Sequence, residues 1–323
     1  MDINPFSPLH IVAKMRLLDP IMLNSLTQTA LSPAPEPDIE SNESPLGRLA
    51  DTLAPDMDAT NAMILDRLQS PVETIPEVAR YLIAGGGKRI RPLLTLACAS
   101  LFQKPDTRAH KLATAVEFIH SATLLHDDVV DDSTLRRGHR VANHVFGNKP
   151  AILVGDFLFA RAFELMVETE SLRVLHLLSR ASAVIVEGEV AQLNATGNDT
   201  LQIDDYIRVI AAKTAALFAA ACAAGPALYG ADRTTQDALY TYGHHLGIAF
   251  QIADDVLDYT ADIAAFGKQL GNDFIEGKIT APVIYALHHA GTTERTFWTR
   301  CLSEHTIQDG DFETARGYLL RHD

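Results

Sequence analysis

The chain has 323 residues, 47% of them hydrophobic, and carries 41 acidic against 27 basic side chains for a formal net charge of −14. That is enough apolar material for a substantial core, in one large domain or two ordinary ones. The acidic balance argues against a general binder of nucleic acid or of anionic membranes, and leaves room only for local basic pockets.

Residues 1 to 48 differ from the rest. "LSPAPEPDIESNESP" is rich in Pro, Ser and acid and reads as a disordered linker. A short helix within Ile11–Ser25 would be broken at Pro20. Lys14, Arg16, Asp19 and Pro20 interrupt any signal-peptide apolar run, and Asp2 and Asp19 count against a mitochondrial-type leader. From about Pro45 the pattern is helical almost throughout. "LADTLAPDMDATNAMILDRL", "IPEVARYLIAGG" and "TLACASLF" place apolar residues at i, i+3, i+4 spacing, and "HKLATAVEFIHSATLLHDDVVDD" reads as one long helix. Further helices follow in "AILVGDFLFARAFELMVE", "LRVLHLLSRASAVIVEGEVAQL", "DDYIRVIAAKTAALFAAAC" and "DALYTYGHHLGIAFQIADDVLDY". No stretch shows sustained alternation flanked by hairpin turns. The alanine-rich run around "TAALFAAACAAGPALYG" follows Lys213 and is broken by Gly225-Pro226, so it predicts a buried core helix rather than a membrane span. The expected fold is one all-α domain over residues 49–323, a bundle of about ten helices. Cys98, Cys222 and Cys301 lie far apart without CxxC spacing, which fits a reducing cytoplasmic or matrix-type compartment and speaks against zinc.

Chemistry concentrates in a few places. Asp127, Asp128 and Asp131 form DDxxD, and Asp254, Asp255 and Asp258 form it again. On a helix, positions i and i+4 share a face, so the outer aspartates of each motif can reach a common ion. Oxygen clusters without His or Cys suit Mg²⁺, which shares its shell with substrate phosphates. Two such clusters facing each other would clamp a diphosphate. "GGGKRIRP" sets Lys88, Arg89 and Arg91 after three glycines; it has no Walker frame and reads either as an anion pocket near a helix start or as a basic surface turn. Arg136 and Arg137 follow the first cluster, and guanidinium forks match phosphate oxygens. Lys213-Thr214 sits inside the apolar run "IAAKTAALF", where a lysine must snorkel or find an anion. Gln251 precedes Asp254 on the same helical face, and the Gly-rich "GKQLGNDFIEGKIT" adds Lys268 and Lys278, fit for a lid over phosphate or for a plain polar loop.

Together with "EFIHSATLLHDDVVDDSTLRRG", "LVGDFLFARAF" and "GEVAQL", these pieces resemble the trans-polyprenyl diphosphate synthase family in order and spacing, from about residue 57 to 290. The resemblance implies an isoprenoid-synthase helical bundle that joins isopentenyl diphosphate to an allylic diphosphate of the geranyl or farnesyl type. It implies Asp127, Asp131 and Asp254 as Mg²⁺ ligands, with Asp128, Asp255 and Asp258 as further candidates, and about three ions per site. Lys88, Arg91, His120 and Arg137 match the isopentenyl diphosphate pocket. Arg136, Lys213, Thr214, Gln251, Lys268 and Lys278 match groups on the allylic diphosphate. His126 has no match and reads as structural; Asp132 reads as solvated.

In the family, bulky residues four or five positions before the first motif floor the product pocket. Here those positions hold the small Thr123 and Ala122, with Phe118, Ile119 and Ala115 deeper on the helix and Leu158, Ala162 and Met166 as candidate facing residues. The wording "ATLLHDDVVDDSTLRRG" resembles the octaprenyl-to-decaprenyl subclass that supplies quinone side chains, which implies a product of about eight to ten isoprene units. The family also implies a homodimer through the helices around Val116–Leu125 and Leu153–Met166, and transient membrane contact for a lipid product. The chain departs from the family pattern in its long N-terminal extension and in stopping at Asp323, where members continue for several helices. That leaves an impaired or non-catalytic partner subunit as one alternative, and a shorter-chain geranylgeranyl-type synthase as another. A terpene cyclase or head-to-head synthase fits less well, since a cyclase needs no isopentenyl diphosphate pocket.

Overall fold

The computed structural model describes residues 45–84, 87–136, 139–195, 202–260 and 271–322. Calls that fall elsewhere, namely the N-terminal linker and the short helix before it, Arg137 and Lys268, lie outside the described residues. The structure is all-α apart from one two-residue antiparallel pairing. In chain order the elements are α1 (Pro45–Thr52), α2 (Ala54–Arg67), α3 (Thr74–Ala84), α4 (Ile90–Ser100) and α5 (Thr107–Val130). The hairpin β1 (Leu135–Arg136) and β2 (His139–Arg140) leads to α6 (Ala142–Phe146), α7 (Asn148–Glu168), α8 (Leu172–Ala195) and α9 (Ile203–Ile210). A π-helical turn over Ala211–Ala215 then runs into α10 (Ala216–Leu228) and α11 (Arg233–Thr260). The chain continues through α12 (Asn272–Ile275), α13 (Ala281–His289), α14 (Thr292–Trp298), a second π turn (Thr299–Ser303) and α15 (Asp311–Arg321).

Two expectations change. The single helix expected over Leu49–Leu68 breaks at Leu53, which carries a non-helical φ/ψ of −100° and 7° just before Pro55. Proline is tolerated only in the first turn, so the chain restarts there as α2. The region after Thr260 likewise divides into short helices, giving more segments than the ten expected.

Helix α10 is the centre of the bundle. It is long and apolar enough, with α9 and the π turn, to cross a membrane by composition, yet every residue from Ala216 to Leu228 is buried in protein. Helices α4, α8 and α11 pack around it, and α5 packs against α4 and α7. The alanines and Gly225 permit very close contacts: a Cβ on Gly225 would lie 2.7 Å from Ala99 N and 2.8 Å from Thr95 O. Gly247 does the same for α11, where a Cβ would sit 2.5 Å from the Ala215 Cα. A side chain there would push α11 off the π turn, so this glycine sets the spacing at the site described next. Asp106 caps α5, accepting hydrogen bonds from the backbone N–H of Arg108 at 2.9 Å and of Ala109 at 3.2 Å. Near the chain end, Tyr259, Phe274, Val283, Trp298, Leu302 and Ala315 share one buried apolar cluster.

Candidate active site

The first DDxxD lies where α5 ends. Asp127 and Asp128 occupy its last turn, and Asp131 is its C-terminal capping residue, with its N–H donating to Asp127 O at 2.8 Å. Helical geometry therefore continues far enough to keep Asp127 and Asp131 on one face, while Asp128 turns inward. Asp128 is 1% exposed. Its Oδ1 accepts from Arg136 Nε at 3.0 Å and Nη2 at 2.7 Å, and its Oδ2 is buried without a hydrogen-bond partner. The turn after α5, where the Ser133 N–H donates to Asp128 O at 3.1 Å and Asp132 takes a left-handed φ of 49°, brings Arg136 back onto Asp128. The β1–β2 pairing that follows was not predicted by the sequence pattern. Asp127 and Asp131 instead meet lysines. Lys213 Nζ lies 3.9 Å from Asp127 Oδ2 and donates to Glu189 Oε2 at 3.0 Å. Lys278 Nζ lies 3.4 Å from Asp131 Oδ2 and 2.6 Å from Glu276 Oε2. Burial pushes the Asp127 carboxyl up to about 7, with Lys213 opposing and Glu189 and Asp131 adding to the rise.

The second DDxxD occupies the end of α11 and divides in the same way. Asp254 is exposed and Asp255 is buried at 4%. Both Asp255 oxygens are engaged: Tyr206 Oη donates to Oδ2 at 2.6 Å and Gln251 Nε2 to Oδ1 at 2.7 Å. Gln251 in turn accepts from Thr214 Oγ1 at 2.8 Å. Asp258 Oδ2 accepts from the Asp273 N–H at 3.0 Å, and the Asp258 carbonyl accepts from the Gly271 N–H at 3.0 Å. Burial, with Asp258 and Asp255 adjoining, lifts Asp273 to about 7.

The π turn makes Lys213 and Thr214 available. An α-helix would continue its apolar face through "IAAKTAALF"; the extra residue per turn re-aims two polar side chains at the cleft. Asp131, Lys213, Thr214, Gln251, Asp255 and Lys278 line a cavity of about 380 Å³, whose lining does not include Asp127, Asp254 or Asp258. Glu189, Tyr206 and Asp273 line it too, and sequence reasoning gave none of them a role. Glu189 stands inside "GEVAQL" and Asp273 inside "GKQLGNDFIEGKIT", whereas Tyr206 carries no signal that spacing could reveal. Among the described residues, no three His, Cys, Asp or Glu side chains converge on a point that could hold an ion.

A basic group forms at the start of α4. Lys88 is exposed, and Arg89 takes a left-handed φ of 47° as the residue before α4 while pairing with the buried Glu117 of α5. Arg91 Nη1 lies 3.1 Å from His120 Nε2, and its guanidinium stacks over the Phe218 ring at 4.6 Å. Burial lowers the Arg91 pKa to about 10, against the pull of Glu117. The Arg91–His120 contact brings together two of the residues expected to bind one diphosphate, with Lys88 three positions before Arg91. His120 stands seven residues before Asp127 on α5, or about 10 Å along the axis.

Phe118, Ile119 and Ala122 are fully buried, as are Ala115, Leu158, Ala162 and Met166. Thr123 is half-buried and donates to His120 O at 2.8 Å. The lining of the 380 Å³ cavity includes none of the four proposed length-setting residues. His126 is held by Ile152 O at 3.1 Å and packs where a Cβ on Gly155 would stand, so its structural reading agrees with the geometry. Asp132 is exposed.

The polyprenyl synthetase family model matches residues 72–319. The octaprenyl diphosphate synthase of Escherichia coli is 44% identical over 259 residues, 80% of this chain and 80% of its own length. The crystal structure of a decaprenyl diphosphate synthase from Rhodobacter capsulatus is 51% identical with a TM-score of 0.80, covering 85% of each chain. A polyprenyl synthase from Caulobacter crescentus, crystallised with calcium and isoprenyl diphosphate, is 48% identical with a TM-score of 0.83, covering 87% of this chain and 86% of its own. With the motifs gathered around one cleft and the family matched over most of its length, the chain belongs to the polyprenyl synthetase family and is a prenyltransferase.

Proposed function

We propose that the protein is a long-chain trans-polyprenyl diphosphate synthase that extends an allylic diphosphate with isopentenyl diphosphate to about eight to ten isoprene units, of the kind used for quinone side chains. The observation that carries this reading is the meeting of both DDxxD elements with Lys213 and Lys278 around one cavity. The relatives named as octaprenyl and decaprenyl synthases support the length class, against the geranylgeranyl-type and partner-subunit alternatives.

The donor set is all oxygen and so suits hard divalent cations, and Asp128 Oδ2 is buried without a hydrogen-bond partner. We assign Mg²⁺ to Asp127, Asp131 and Asp254, with Asp258 adjoining. When bound, the ions neutralise the leaving diphosphate and so lower the barrier to an allylic cation. The chain's own residues supply the rest. Lys213, Lys278 and Arg136 present positive charge to the allylic diphosphate, with Arg136 held in place by Asp128. Lys88, Arg91 and His120 hold isopentenyl diphosphate so that its double bond attacks the cation, and proton loss to the released diphosphate completes the step. Thr214 and Gln251 turn oxygen dipoles toward the developing charge. A test is single-turnover formation of labelled product by Arg91→Ala and Lys213→Ala. The first should weaken isopentenyl diphosphate binding and the second the chemical step; equal effects on both would contradict the assignment.

For product length, Thr123 and Ala122 leave the helix face small above Ile119 and Phe118. Since Ala122 is fully buried, Ala122→Tyr should both shorten the product and destabilise the fold, by about 1–3 kcal/mol through overpacking. Thr123→Tyr should shorten it at lower cost. An unchanged length distribution in both would count against this wall. A homodimer is also part of the proposal, through α7, whose outer stripe exposes Leu153 at 66%, Phe163 at 43% and Val167 at 63%. Sedimentation equilibrium of the purified chain tests it. The product is a lipid, so transient membrane contact follows at release. A cytoplasmic location accords with three cysteines that are buried and unpaired.

A further inference from the structure

Asp255 stands in a DDxxD motif, yet its surroundings differ from those of a waiting ion ligand. It is 4% exposed, and each carboxylate oxygen already accepts a strong hydrogen bond. The polarity of those bonds is fixed. A carboxylate only accepts, so Gln251 must turn its NH₂ toward Oδ1, at 2.7 Å. The reversed amide would set two oxygens against each other at that distance. The Gln251 oxygen is therefore left facing Thr214, whose hydroxyl donates to it at 2.8 Å. The Thr214 proton is spent in this bond, and its lone pairs remain for the cavity. Tyr206 Oη donates to the other Asp255 oxygen at 2.6 Å. The Tyr206 ring is anchored by packing with Ile210 and Ile284. The close approach of Gly247 to Ala215, one turn before Gln251, brings the two helices near enough for the whole chain of bonds.

We infer that Tyr206 and Asp255 are positioning residues: together they set the orientation of the Gln251 amide and, through it, of Thr214 beside Lys213. Asp255 serves in this way and not as an ion ligand. The inference deepens the prenyl-transfer reading of the cavity and rests on it.

The test is steady-state kinetics on the full chain with farnesyl diphosphate, isopentenyl diphosphate and varied Mg²⁺. The variants are Tyr206→Phe, Asp255→Asn, the double variant and Asp127→Asn, each checked for folding by thermal melting. Tyr206→Phe keeps the packed ring, so it isolates the hydroxyl. Both relay variants should lower kcat/KM for the allylic substrate about tenfold, a loss of roughly one charge-assisted hydrogen bond. They should leave KM for isopentenyl diphosphate and the Mg²⁺ concentration for half-maximal rate within about twofold of wild type. The double variant should be no worse than the poorer single one, because both act through one amide. Asp127→Asn should raise the Mg²⁺ requirement about tenfold or more. A comparable rise in Asp255→Asn would make it a ligand and overturn the inference, and so would additive losses in the double variant. Normal turnover and Mg²⁺ dependence in Asp127→Asn would instead remove the prenyl-transfer reading beneath it.

Discussion

The two DDxxD motifs are spelled alike and sit alike, each in the last turns of a long helix, α5 and α11. In both, the middle aspartate is buried, Asp128 at 1% and Asp255 at 4%, while the first is more open. They differ in what the buried carboxylate holds. Asp128 takes a two-pronged grip on Arg136 and so aims a cation, whereas Asp255 takes a phenol and an amide and so aims dipoles. One helical pattern thus yields two kinds of support, the buried aspartate fixing Arg136 in the first motif and Gln251 with Tyr206 in the second, while Asp131 and Asp255 both reach the cleft wall. The location has a cost, since the C-terminal end of a helix carries partial negative charge and repels carboxylates. Lys213 and Lys278 offset that repulsion in the absence of ions. Mg²⁺ with diphosphate should therefore raise the melting temperature, by about 2.7 kcal/mol of stability at a hundredfold excess over Kd.

The largest effect should separate outer from inner residues. Asp127→Asn and Asp131→Asn should each lower kcat about a thousandfold, near 4 kcal/mol of transition-state stabilisation, measured by incorporation of labelled isopentenyl diphosphate at saturating Mg²⁺. Next comes the grip at Asp128. Arg136→Ala strands a buried charge and should cost about 3 kcal/mol in chemical denaturation, on top of lost activity, while the paired Asp128→Asn, Arg136→Ala variant should recover part of that stability. A smaller loss, about tenfold in KM for the allylic diphosphate, is expected of Lys278→Ala.

Acidity should act on the cleft with opposite signs. Asp127 and Asp273 have folded pKa values near 7, above the unfolded carboxylate value, so the folded state binds protons more readily between those limits. The ion-free protein should therefore gain stability as pH falls from about 8 to 6, while the stabilisation contributed by Mg²⁺ shrinks as Asp127 protonates. Paired thermal melts with and without Mg²⁺ read both trends; parallel slopes would contradict them. The smallest effect belongs to Asp132, exposed with a left-handed φ of 49°. Asp132→Gly should leave turnover within about twofold and shift stability by less than about 1 kcal/mol.

Much of this was legible in the sequence because it depends on short-range geometry. Spacing alone places Asp127 with Asp131 on one helix face, and the apolar surroundings of Lys213 mark it as a lysine in need of an anion. The interruptions at Lys213 and Gly225-Pro226 also mark α10 as a core helix, although with α9 and the π turn the apolar stretch reaches membrane-spanning length. What escaped depends on bends and long-range approach. The π turn at Ala211–Ala215 breaks the period that pattern reading assumes, and the tight turn that returns Arg136, like the two-residue pairing after it, is too short to register as a pattern. Tyr206 meets Asp255 across 49 residues of sequence, and Glu189 meets Lys213 across 24, so no local pattern pairs them. The break at Leu53 was within reach, since Pro55 stands two residues on and proline belongs in a helix's first turn.

One incubation decides whether this cleft builds a long prenyl chain. Purified chain is given farnesyl diphosphate, labelled isopentenyl diphosphate and Mg²⁺, and the dephosphorylated products are separated by length. The account predicts Mg²⁺-dependent products centred at about eight to ten isoprene units. Incorporation that is absent, independent of Mg²⁺, or arrested at about four units would contradict it.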